Sequence, residues 1–209
     1  MGQKVNPTAF RLGVVYDWLS RWFSERDYAK YVFEDKKIRD FVKRGHSDAG
    51  IVSIAIERSA SVIKLILTVA RPGVLIGRGG SGLTQLRDEL AALTKSKIDL
   101  EVQEFKNPEL SAQLVGDEVA RSIERRMPVR RTMNNIAERV FAKGVLGVKL
   151  ICSGVISGPS SISRRERVVR GSIPTQTLRA RVDFAKSTAF TTYGTIGIKV
   201  WIFNTLEGI

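Results

Sequence analysis

One cysteine and one histidine in 209 residues leave little scope for metal or nucleophilic chemistry. Cys152 has no partner for an intrachain disulfide, which fits a reducing compartment. His46 lies more than 100 positions away, so a Cys/His metal site is excluded. Ser-His-Asp or Cys-His catalysis would rest on His46 alone, and its setting, "RGHSDAG", reads as a solvated turn. No run approaches the ~18 apolar residues of a membrane helix. The start, "MGQKVNPTAFRLG", has no apolar core of signal-peptide length. Met1-Gly2 invites myristoylation, but that pattern wants Ser or Thr where this chain has Asn6. A soluble, cytoplasmic chain without cofactor or metal is expected. Acidic residues are also scarce: 21 against 34 Lys and Arg, a net charge of +13. Such a surplus attracts polyanions, whether RNA, DNA or an acidic membrane surface.

What is present supports a packed protein. Hydrophobic residues make up 43% and charged residues 26%, enough apolar surface for a core in one or two domains. Residues 1–36 form an aromatic and basic extension. By Phe33 it has used eight of the chain's sixteen aromatics, from Phe10 through Trp18, Trp22 and Tyr31, with Arg11, Arg21, Arg26 and Lys30 between them. Rings beside such cations can stack on bases or dock on a partner protein. They can equally pack on the neighbouring domain, and both readings stand.

Residues 37–107 alternate in period. "DKKIRDFVKRG" places Ile38, Phe41 and Val42 on one helical face ended by Gly45. "GIVSIAIER" and "SVIKLILTVA" read as strands separated at Ser59–Ser61. Pro72 suits the first position of a one-turn helix over Val74, Leu75 and Ile76. Leu83, Leu86, Leu90 and Leu93 then mark a longer helix, and "SKIDLEVQEF" a strand. Beyond "KNPEL", residues 108–209 hold two helical patterns split by Pro128 and four strand candidates, at 146–155, 165–172, 180–190 and 196–203. The fold class is α+β: helix-strand-strand-helix-helix-strand, then two helices on a mainly antiparallel four-stranded sheet.

The glycines of "RPGVLIGRGGSGLTQL" satisfy two patterns. Gly77, Gly79 and Gly82 match the dinucleotide fingerprint, with Asp99 and Glu101 at about the distance of a ribose-binding acid. That fingerprint needs glycines directly after a strand, yet Arg71-Pro72-Gly73 and a helical turn intervene. A helix and two strands precede the unit, and both acids fall in an alternating strand. A Walker loop needs a lysine after the last glycine, where Leu83 stands. Gly77, Arg78, Gly79 and Gly80 fit a G-x-x-G loop better, one that clamps a nucleic-acid backbone between two helices, with Gly82 incidental. The element order is that of a type 2 KH domain.

Basic charge gathers further on. Seven basic and two acidic residues lie between Arg121 and Lys143, and six arginines and one glutamate between Arg164 and Arg181. The planar guanidinium suits phosphate and stacks on bases, so two such clusters favour an RNA-facing surface.

Several strings carry a family resemblance along the whole chain: "MGQKVNP" with Arg11-Leu12-Gly13, "ARPGVLIGRGG", "NPEL" at Asn107–Leu110, "ERRMPVRR" at Glu124–Arg131, and "TTYGTIGIKVWIF" at Thr191–Phe203. They resemble the small-subunit ribosomal protein S3 family of bacterial or organellar type. The resemblance implies a structural protein of the 30S head, not an enzyme, in a cytoplasmic or organellar ribosome. It implies binding to 16S-type rRNA, neighbours S10 and S14, no membrane, and a wall of the channel where mRNA enters. The family's Arg-Arg-x-x-Lys pattern, which helps unwind structured messenger, falls on Arg130, Arg131 and Asn134, so the lysine is missing. Arg126 and Arg139 are candidates to compensate. Candidate rRNA or phosphate contacts are Lys4, Arg11, Arg125, Arg126, Arg164, Arg165, Arg167, Arg170 and Arg179.

Overall fold

A computed structural model describes residues 4–59, 62–94, 96–156 and 162–206. The Met1-Gly2 start and the Ala60-Ser61 part of the strand break lie outside the described residues. Trp18–Lys106 forms one compact unit, and the chain up to Asp17 joins the chain from Asn107 onward in the other. The stretch read as a single extension, 1–36, is thus shared between the two units. The first helix, α1 (Pro7–Phe10), starts from an Asn6 cap whose side chain accepts the Thr8 and Ala9 N–H groups.

The unit of Trp18–Lys106 contains β1 (Ser20–Arg21), α2 (Tyr28–Gly45), β2 (Ile51–Arg58), β3 (Val62–Val69), α3 (Pro72–Ile76), α4 (Ser81–Thr94) and β4 (Lys97–Glu104). The sheet order is β1-β2-β3-β4, with β2 and β3 antiparallel and the other two pairs parallel. Strand alternation puts Ile63, Leu65, Leu67 and Val69 into the core, where Leu86 and Leu90 of α4 meet them. Full burial of a leucine contributes about 1.5–3 kcal/mol. Leu93, expected on the same face, is exposed.

Helix α2 begins at Tyr28, nine residues before Lys37, where the sequence pattern of this domain begins. Its first turns carry no apolar stripe because their inward group is polar. Asp35 is buried and accepts from Arg58 at 2.9 and 2.5 Å, from Ser20 Oγ at 2.9 Å and from Trp22 Nε1 at 2.9 Å. The Arg58 guanidinium also lies 4.8 Å from the Tyr31 ring centroid, and Trp22 packs on Tyr28 and Tyr31. Some of the aromatics are therefore packing residues of this unit, while Trp18, Phe23 and Phe33 stay exposed.

The other unit holds α5 (Ala112–Glu124), α6 (Val129–Ala142), β5 (Gly147–Gly154), β6 (Arg164–Gly171), β7 (Ala180–Thr191) and β8 (Gly194–Leu206). The sheet is antiparallel throughout, in the order β6-β5-β8-β7. Val115, Val119 and Ile123 of α5, with Met133, Ile136 and Val140 of α6, cover Val148, Leu150, Ile198 and Val200 on one face. Cys152 sits in this core, and burial pushes its thiol up to about 12, which leaves it unreactive. The expected two helices on a four-stranded sheet are thereby present. Among the described residues no helix is long and apolar enough to cross a membrane.

Arg11 departs from its expected role as a phosphate contact. It is 1% exposed, and its guanidinium donates to the carbonyls of Pro7, Pro174 and Thr177, each at 3.0 Å. The fork fastens the N-terminal segment to the 174–177 loop within one unit, and no face of it is presented to a ligand.

Candidate nucleic-acid interface

The glycine loop takes its shape from three backbone demands. Helix α3 ends where Gly77 turns to φ +69°, and Gly79 and Gly80 follow at φ +61° and +82°, a region that L side chains rarely adopt. Ser81 Oγ donates to the Arg78 carbonyl at 3.0 Å and Thr84 Oγ1 to that of Gly80 at 3.2 Å, tying the turn to the start of α4. A Cβ at Gly79 would meet nothing within 4 Å, so the loop tip is open. Arg78 is exposed beside it. The N–H groups opening α4 supply partial positive charge at the same place.

Gly82 is not incidental. A Cβ there would stand 2.5 Å from the Leu75 carbonyl oxygen and 3.1 Å from that of Ile76. The glycine lets α4 cross against the end of α3, so it belongs to the loop's construction. The dinucleotide alternative fails on geometry, since β3 ends at Val69 and α3 lies between it and Gly77. Glu101, one of the two acids that reading needed, pairs with Lys64 at 2.9 Å.

A second basic site forms at the turn between α5 and α6. Arg125, Arg126, Arg130 and Arg131 are all exposed, and among the described residues none of them makes an ion pair. Arg126 has φ +62°, the only non-glycine among the described residues on that side of the map. Its N–H reaches the Ile123 carbonyl at 2.8 Å, and the Met127 N–H that of Ser122 at 3.1 Å. This is a Schellman turn with arginine where glycine is usual, followed by Pro128. Strain of that kind costs about 1–2 kcal/mol and points to a use for the side chain. Asn134 is half-buried one turn beyond Arg130. Arg139 pairs with Glu118, so of the two candidates to compensate for Asn134 only Arg126 keeps an uncommitted charge.

Strand alternation divides the third cluster between two faces. On β6, Arg164 and Arg170 lie in the register of the helix-covered residues Gly154 and Val148, while Arg165 and Arg167 point to the other face. Arg170 is bound to Glu138 of α6 at 3.1 Å. Arg179 is exposed just before β7. Lys4 is exposed and close enough to Lys149 to repel it.

Comparison with known proteins finds two family matches along the chain. The KH domain family matches residues 37–110. The family described as ribosomal protein S3, C-terminal domain, matches residues 119–202. Small ribosomal subunit protein uS3 of Desulfitobacterium hafniense is 43% identical over 98% of this chain and 93% of its own length. Its counterpart in Caldicellulosiruptor bescii is 47% identical over 98% and 92%. That of Maridesulfovibrio salexigens is 46% identical over 98% and 95%.

Proposed function

Because the chain belongs to the family of small ribosomal subunit protein uS3, we propose that it sits in the head of the 30S subunit, on 16S-type rRNA, and lines the channel where mRNA enters. At the coarser level it is a structural, RNA-binding constituent of the small ribosomal subunit and not an enzyme. S10 and S14 are the protein neighbours that go with this placement, in a cytoplasmic or organellar ribosome.

The observation that carries the messenger role is the α5–α6 turn. Four exposed arginines flank this turn, none with an ion-pair partner among the described residues and one of them held in a strained conformation. Glu124, which adjoins Arg125 in sequence, instead accepts the Phe190 N–H at 3.0 Å. Uncommitted guanidinium forks are suited to phosphate, and they act on a strand of any sequence, as messenger requires. The open glycine tip with Arg78 supports a second contact to RNA backbone in the other unit.

Replacing Arg130 and Arg131 by alanine in reconstituted small subunits tests the messenger role. Translation of structured messengers should slow more than that of unstructured ones. Asn134→Lys, which restores the family's third cation, should move the same ratio the other way. Equal slowing of both messengers by the double alanine variant would assign these arginines to assembly instead.

A further inference from the structure

The face of the second sheet turned away from α5 and α6 has a composition unlike an ordinary solvated surface. Strand register aligns Val169, Lys149, Trp201 and Phe184 across its four strands, and then Arg167, Ile151, Lys199 and Lys186 in the next row. Neither row contains an acid. Trp201 and Phe184 lie 5.0 Å apart between centroids, tilted by 39°, and Lys149 Nζ sits 5.0 Å over the Trp201 ring. Beside them opens a cavity of about 320 Å³, walled by Phe10, Val182 and Ile173 and rimmed by Lys4, Lys149 and Lys199.

We propose that this face is a site for single-stranded RNA, taking an unstacked base against Trp201 and Phe184 and its phosphates on Lys4, Lys149 and Lys199. The proposal rests on the reading of the chain as an RNA-binding subunit constituent and adds a site distinct from the glycine loop and the α5–α6 arginines. Aromatic rings on an open sheet stack bases without regard to sequence, and neighbouring cations track the backbone. The cations of this face are crowded rather than dispersed. Burial, and then repulsion from Lys4 and Arg167, holds the Lys149 ammonium below the usual lysine range. Nothing acidic on the two rows relieves that crowding, so the face is complementary to an anion. An acidic peptide would answer the charge but leave the ring pair unused. A nucleotide answers both.

Intrinsic fluorescence of the full chain, titrated with a short oligouridylate, tests the site, with Trp201→Phe supplying the background from Trp18 and Trp22. Saturable quenching that disappears in Trp201→Phe is expected. Lys149→Ala with Lys199→Ala should weaken it on the order of tenfold, and Arg130→Ala with Arg131→Ala should leave it in place. The proposal is overturned if RNA binds, by anisotropy of a labelled oligonucleotide, while Trp201 emission stays constant. It is also overturned if polyglutamate quenches Trp201 as well as RNA does, which would make the face a protein-docking surface. Absence of any RNA binding in either readout would overturn the broader reading together with it.

Discussion

The Asp183 carboxylate on β7 accepts the Ala112 N–H at 2.7 Å, so a strand residue caps the first turn of α5. Ser111, in the cap position itself, makes no side-chain capping bond, and its buried Oγ has no partner among the described residues. Asp183→Ala should cost about 1–2 kcal/mol, as loss of a helix cap does. Burial holds the Asp183 carboxyl above the usual carboxylate range, against the pull of the Ala112 and Phe184 N–H groups and of Arg181. The native state therefore binds this proton more tightly than the unfolded chain. Its contribution is complete below the unfolded value and is lost as pH rises through the raised folded value. Urea titrations at a series of pH values should show the natural chain gaining on Asp183→Asn as pH falls through that window. A difference independent of pH would contradict the assignment.

Arg126→Gly should separate stability from binding. Glycine relieves the φ of +62°, and the chain should gain up to about 1 kcal/mol after the entropic cost of glycine. Affinity for RNA should fall in the same variant. A lower denaturation midpoint would show that the arginine side chain has a packing role instead.

Two alanine substitutions in the glycine loop should fail in different ways. Gly82→Ala forces a methyl against the Leu75 carbonyl and should destabilise its unit by about 1–3 kcal/mol. Gly79→Ala meets open space at φ +61°, so its cost is confined to about 1–2 kcal/mol of backbone strain. RNA affinity, measured where both variants are folded, should drop more for Gly79→Ala, because its methyl stands on the open tip. The reverse order of affinities would place the RNA elsewhere.

Removing the Arg11 fork should strand three carbonyls that it now satisfies. Arg11→Ala should cost about 2–4 kcal/mol. Arg11→Lys should recover little, since one ammonium cannot reproduce the planar fork. Thermal midpoints of the two variants decide it, and full recovery by lysine would show that charge alone matters there.

Part of this fold is legible in the sequence alone. Period-2 runs located β2 and β8 because each buries alternate residues over most of its length, and the recurring leucines of α4 marked their helix by its buried face. The start of α2 was hidden because its inward group is Asp35, which a hydrophobic period cannot register. Arg11 looked like one more cation, since two of its three acceptors lie more than 160 positions away. The arginines from Arg164 to Arg181 read as one cluster, yet a strand sends neighbours to opposite faces. The same alternation contained the signal for the outer face. Reading "KVWIF" for Val200 and Ile202 identifies the core, and reading it for Lys199 and Trp201 identifies the rings and charges opposite.

In the proposed function, exposed, uncommitted arginines at the α5–α6 turn hold RNA by its phosphates. The salt dependence of RNA affinity, compared between the natural chain and Arg130→Ala with Arg131→Ala, tests it most directly. Log affinity should fall linearly with log salt, and the double variant should have a slope shallower by about 1.4 to 1.8. Equal slopes with equal affinities would contradict the claim.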